Sequence, residues 1–178
     1  MRAIKVVAFA VLGAMVTLLV IGLFLRSSWN VHAEIAIKAI PQQIFPWVSH
    51  LKQWEKWSAW TSQKYPDMQR NYEGPDHGPG SILKWSGKSS GSGLLKVTAE
   101  EPDKSVRYDL SFEGMSKPSQ GSVELEPAGD GTKIIWHDHG DVGWMIMARY
   151  MVPQIEKTIS ADYQAGLEKL KARVEKGK

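Results

Sequence analysis

Two hydrophobic patterns divide this chain. From Val6 to Leu25, twenty residues run without a charged side chain. A helix of that length reaches about 30 Å, the hydrocarbon thickness of a bilayer. Gly13, Thr17 and Gly22 interrupt the run, and membrane helices tolerate all three. The competing reading is a cleaved secretory signal, whose apolar region is normally about 7–15 residues. Its weak cleavage site, Val31-His32-Ala33, falls inside an expected strand, so an uncleaved anchor is preferred. Arg2 and Lys5 precede the span and Arg26 follows it. That modest asymmetry places the N-terminus in the cytoplasm and the rest on the outer side, periplasmic or extracellular. Trp29, just beyond, suits the membrane interface.

After this segment the periodicity is that of a folded domain. Val31, Ala33, Ile35 and Ile37 alternate with His32, Glu34, Ala36 and Lys38, a half-buried strand. From Pro41 the spacing turns helical, with Ile44, Trp47, Val48 and Leu51 as the inner stripe. Pro46 argues for two short helices reaching about Trp57. Strands follow at Ser81–Ser86, Leu94–Glu100, Val106–Phe112, Gly121–Glu126 and Lys133–Asp138, separated by turn chemistry such as His77-Gly78-Pro79-Gly80 and Ser89-Ser90-Gly91-Ser92-Gly93. Such spacing predicts an antiparallel meander. Ile155, Ile159, Tyr163, Leu167, Leu170 and Val174 then trace one stripe of a long amphipathic helix. It has one place to pack, across the concave face of the sheet. The domains expected are an anchor and juncture over residues 1–29 and one α+β domain over 30–178.

Charge and composition remove several function classes. The formal charge is +3, but Arg2, Lys5 and Arg26 precede every acidic residue, leaving nineteen bases and nineteen acids in the domain. A neutral domain argues against nucleic acid as a partner. The absence of cysteine excludes disulfides and thiol chemistry. No nucleophile elbow, phosphate-binding glycine loop, dinucleotide fingerprint or HExxH helix occurs, and no cofactor is implied.

The order of elements resembles the helix-grip fold, a curved antiparallel sheet wrapped on a long C-terminal helix. Ala39-Ile40-Pro41 with Ile44-Phe45, then Trp54, Trp57 and Trp60, is similar to the opening of polyketide cyclase/dehydrase-like proteins. That family belongs to the START-related SRPBCC superfamily. Gly74-Pro75 to Gly80, Trp85-Ser86-Gly87, Glu101–Val106, Leu125-Glu126-Pro127 with Gly131–Trp136, and the terminal helix with Gly166-Leu167 continue the likeness. The resemblance implies a cavity between sheet and helix that holds a hydrophobic small molecule. It does not imply one shared active site.

Trp85, Tyr108, Phe112, Trp136 and Tyr163 face inward by these periodicities and form the expected cavity lining, although the same five would fill a solid core. Small residues at the inward positions Ala99, Gly121 and Gly166 tip the reading toward a cavity. Trp54, Trp57 and Trp60 are read as a plug at one end. Asp138 follows Trp136 inward and is placed at the rim, where poor solvation would raise its pKa and suit it to acid–base work. His137 and His139 share a face, as an H-x-H metal pair would, but lack a third ligand and fall on the outer face; no metal is expected. The resulting expectation is a membrane-anchored domain that binds a hydrophobic or lipid-like molecule. The alternatives are a cyclase- or hydratase-type enzyme using Asp138 and Tyr108, a protein-interaction module, and a solid-cored domain.

Overall fold

Among the residues described by the computed structural model, 2–115 and 117–176, a twenty-three-residue helix α1 (Arg2–Phe24) leads directly into a sheet. The elements that follow are β1 (Ser28–Ile37), α2 (Pro41–Ser49), α3 (Leu51–Trp57), β2 (Gln69–Glu73), β3 (Ile82–Gly87), β4 (Gly91–Glu101), β5 (Ser105–Phe112), β6 (Ser119–Ala128), β7 (Gly131–Asp141), α4 (Ile146–Arg149) and α5 (Val152–Lys176). All seven strands pair antiparallel in the order β1-β7-β6-β5-β4-β3-β2. This is the helix-grip fold that the sequence order predicts.

α5 runs alongside β1 and also touches α3 and α2, so it grips one side of the sheet rather than crossing all of it. Glu156 near its start accepts from the Asn30 amide, and Glu175 near its end accepts from the Lys38 amide. Along the stripe, Tyr163, Leu167, Leu170 and Val174 are buried, whereas Ile155 and Ile159 are only half-buried. α3 and the connection 58–68 cover the sheet beyond α5's reach. There Trp57 is fully buried, and its indole N–H donates to the Trp47 carbonyl at 2.9 Å.

Large aromatic side chains fit on the concave face because a glycine stands opposite them. Trp29 pairs with Gly140, Trp85 with Gly93, and Tyr108 with Gly121. In each case a Cβ on the glycine would lie 2.2 Å from the aromatic ring. The rings therefore lie flat across their neighbours and fill the space a side chain would take. Gly121 leaves no cavity, contrary to the expectation drawn from its size: the Tyr108 ring occupies that space. Ala99 departs from expectation for another reason. A bulge between Val97 and Ala99 shifts the register, so Ala99 pairs with exposed Arg107 on the outer face and Glu100 turns inward opposite Val106.

The two short helices expected before Trp57 are α2 and α3; the break between them falls at His50, and α2 runs through Pro46 because in so short a helix proline forfeits little bonding. Other differences are local. β4 starts at Gly91, so the turn there is only Lys88–Ser90. Trp29, grouped above with the juncture, belongs to β1. It is 7% exposed, packed in the core rather than at an interface.

Candidate functional site

The concave face carries two adjoining environments. Beneath α5 lies an aromatic cluster without room for a ligand. Trp136 stacks on Tyr163 with centroids 3.8 Å apart and planes 5° from parallel. Trp54 and Trp57 meet Trp136 edge-on at 5.5 and 5.0 Å. Gly166 lets the helix approach, since a Cβ there would sit 3.2 Å from the Trp136 ring. Trp54, Trp57 and Trp60 thus pack around Trp136 and close this end.

Away from α5 the same face opens into a cleft. Its floor is Leu83, Trp85, Leu95, Leu110 and Phe112 from β3, β4 and β5. Its walls include Trp54, Trp60, Met68 and Tyr72, and its inner end is Tyr108, Trp136 and Tyr163. All five residues expected to line a cavity therefore border one space. Empty space amounts to about 550 Å³ counting the open mouth, but only about 50 Å³ admits the centre of a water-sized sphere. A single water needs roughly 10–15 Å³ by that measure, so the cleft as it stands takes a few waters.

Polar features sit at both ends of this apolar slot. At the mouth, Arg70 borders the cleft with only 9% of its side chain exposed. Its guanidinium donates to the Trp60 carbonyl at 2.9 Å and the Ser62 hydroxyl at 3.2 Å, and lies 3.5 Å from Glu55. On the floor, the Trp85 indole N–H is buried and has no hydrogen-bond partner among the described residues, a costly state for a donor. Arg70 was not anticipated. The alternation of Met68, Arg70 and Tyr72 against Gln69, Asn71 and Glu73 is a period-2 signal for β2, but the strand is short and its inward set includes a cation.

At the inner end, polar groups form a buried chain. The Trp136 indole N–H donates to the Tyr108 hydroxyl at 2.8 Å, and that hydroxyl lies 3.4 Å from the Tyr163 hydroxyl. Tyr163 in turn reaches the carboxyl of Asp138. The Trp29 indole N–H and the Ser119 hydroxyl donate to the two Asp138 oxygens at 3.3 and 3.4 Å. Asp138 does point inward, but it is 2% exposed and stands behind the tyrosine pair instead of at the rim. Burial pushes its pKa up to about 7, against the pull of hydrogen bonds from Trp29, Ser119 and Tyr163. Burial also raises both tyrosines, so their hydroxyls keep their protons.

His137 and His139 stack on the outer face with ring centroids 5.5 Å apart, and His137 contacts Asn30 at 2.7 Å. No group of three His, Asp or Glu side chains suited to a metal occurs among the described residues.

A sheet gripped by a C-terminal helix, with an apolar slot beside it, defines a class of small-molecule-binding folds. Within that class this chain belongs to the family described as "Polyketide cyclase / dehydrase and lipid transport", which it matches over residues 28–175. Solved structures agree on the fold. A protein of unknown function, SA2116 from Staphylococcus aureus, superposes with a TM-score of 0.66 at 9% identity, covering 85% of this chain and 96% of that one. Protein CV1439 from Chromobacterium violaceum gives 0.60 at 14% identity over 82% and 96% of the two chains. Ara h 8.0201 gives 0.58 at 18% identity over 84% and 99%. A search of the curated proteins finds no match.

Proposed function

We propose that this protein is a membrane-anchored domain that takes a hydrophobic or lipid-like small molecule into the cleft between β2–β5 and α3. α1 spans the bilayer, with the N-terminus cytoplasmic and the domain on the outer side. The carrying observation is an apolar slot lined by Trp85, whose indole N–H is buried without a partner, and flanked by Arg70. An apolar body would fill the slot, and one acceptor group would satisfy Trp85.

The slot must widen to accept such a molecule, and the elements beside it allow that. The connection 58–68 lacks long regular structure; Ser58 and Trp60 at its start pack on α5 at Gly166 and Tyr163, and its middle is tied to that helix by the surface pair Lys64–Asp162 at 2.8 Å. Exposed pairs of this kind contribute only about 0–1 kcal/mol. Titration with an apolar environment-sensitive dye tests the reading. Leu83→Trp, which fills the floor, should weaken dye binding about tenfold or more, a loss of some 1.4 kcal/mol. Lys96→Trp on the exposed face should leave binding unchanged. Absence of saturable binding in the parent protein would refute the carrier reading.

A second reading rests on one further observation, the link from Asp138 through Tyr163 to Tyr108, whose ring borders the cleft. A carboxyl held near neutrality behind two tyrosine hydroxyls can pass a proton to or from a bound molecule. In that case Asp138→Asn would bind the dye normally and lose turnover of a cyclisable substrate by about 10²-fold or more.

A further inference from the structure

The surface beside the α1 exit is unlike the rest of the domain. Among the described residues outside α1, five large hydrophobic side chains are strongly exposed, and four of them fall in one ten-residue segment. These are Trp144 at 86%, Met145, Met147 at 60%, and Met151; the fifth, Ile40, lies at the far end of β1. A contiguous apolar patch of this sort marks an interaction site on a folded domain.

The geometry says what it meets. The segment covers Val142–Met151 and includes α4; within it Ile146 and Tyr150 contact α1 at Gly22, while Trp144, Met147 and Met151 are exposed. Gly22 makes the approach possible, since a Cβ there would lie 2.4 Å from Ile146 Cγ2. Arg149 donates to the Leu23 carbonyl at 2.9 Å and to the Gly143 carbonyl at 2.9 Å, binding the end of α1 to the turn before α4. The Tyr150 hydroxyl donates to the Leu18 carbonyl. Leu18 lies six residues before the end of α1, which at 1.5 Å per residue is about 9 Å back along the helix. Interfacial helices bury their apolar face about 5–10 Å into the headgroup and acyl boundary. A segment fastened to α1 at that depth enters the same zone whenever α1 is inserted.

We propose that Val142–Met151 is a second membrane contact, with Trp144, Met145, Met147 and Met151 immersed in the outer interface beside the last turns of α1. This rests on the anchor reading above. Trp144 then supplies the interfacial anchor, with an apolar body in lipid and a polar N–H at the headgroups. Two attachments, one spanning and one lying flat, hold the domain in a single orientation. The strand ends that start β1 and carry Phe112 and Trp85 lie at this same edge of the sheet.

Because the chain has no cysteine, any introduced cysteine is a unique label site. Full-length variants Trp144→Cys, Met147→Cys, Val11→Cys and Lys96→Cys, each carrying an environment-sensitive fluorophore, are placed in phosphatidylcholine nanodiscs. Quenching by spin-labelled lipid is then compared with quenching by aqueous iodide. The expected result is strong lipid quenching and about tenfold weaker iodide quenching at positions 144 and 147 than at position 96, with position 11 deeper still. Should position 11 be lipid-quenched while 144 and 147 respond to iodide like position 96, the second contact is wrong and the anchor stands. Iodide quenching at position 11 as well overturns both. Protection of 144 and 147 from both quenchers means a second protein copy covers the patch, which also overturns the proposal. Gly22→Leu, which wedges α4 away from α1, should move the labels at 144 and 147 toward the iodide-accessible state without changing position 11.

Discussion

The side of the sheet under α5 and the side beyond it carry similar residues, yet one is solid and the other is slotted. Under α5, Trp136, Tyr163, Tyr108 and Leu167 are buried at 2% or less and locked by stacking and hydrogen bonds. Beyond it, Leu83, Leu110, Phe112 and Tyr72 are only half-buried, and Trp85 lacks a partner for its indole. The difference lies in what covers the face. A twenty-five-residue helix buries one set, whereas α3 and the connection 58–68 only partly cover the other. The packed side supplies most of the burial that stabilises the domain, and the open side contributes less.

Substitution at matched aromatics should break this symmetry most. Trp136→Ala removes a fully enclosed ring and should cost about 3–5 kcal/mol in urea unfolding. Phe112→Ala, at the open side, should cost well under half of that. Equal losses would mean the slot is as tightly packed as the core.

The buried carboxyl sharpens the comparison through pH. Asp138 titrates near 7 in the folded state and near 3.8 when unfolded, so the unfolded chain loses its proton first as pH rises. Its stabilising share is complete below pH 4 and disappears progressively up to pH 7. The loss is on the order of 4 kcal/mol across that window. Asp138→Asn should flatten the decline between pH 4 and 7, leaving the variant the more stable one at pH 8. An unchanged slope would place the titration elsewhere.

Gly121→Ala tests whether the packed side can yield. Its Cβ would fall 2.2 Å from the Tyr108 ring, which is held by Trp136, so a destabilisation of about 1–3 kcal/mol should follow. The smallest effect is expected on the convex face. His139→Ala, exposed and outside the core, should shift stability by less than about 0.5 kcal/mol in the same unfolding assay.

Much of the architecture was legible along the chain. The alternation in β1, β5 and β7 and the stripe of α5 follow from burial on one face, which leaves a regular period in the residues themselves. The inward set of Trp85, Tyr108, Phe112, Trp136 and Tyr163 followed from the same rule. What escaped was whatever interrupts a period. The bulge between Val97 and Ala99 moved Ala99 outward and Glu100 inward, and no local residue announces it. β2 escaped because five residues with an inward arginine make a weak signal. The tryptophan left exposed beside α1 is also not the expected one. Trp29 follows the span in sequence but is drawn into the core by Gly140 and Asp138. Trp144, over a hundred residues later, stands exposed beside the end of α1.

By itself the sequence determined the apolar length of α1, the identity and order of the main strands and helices, and the face each presents, because these depend on neighbours within one element. Only the tertiary structure decided that glycines hold aromatic rings instead of leaving cavities, that Asp138 lies sealed behind two tyrosines, and that α4 is fastened against α1. Each of those depends on which strand or helix arrives opposite. A period of two or 3.6 residues names the face of an element, but carries no information about the side chain that will meet it.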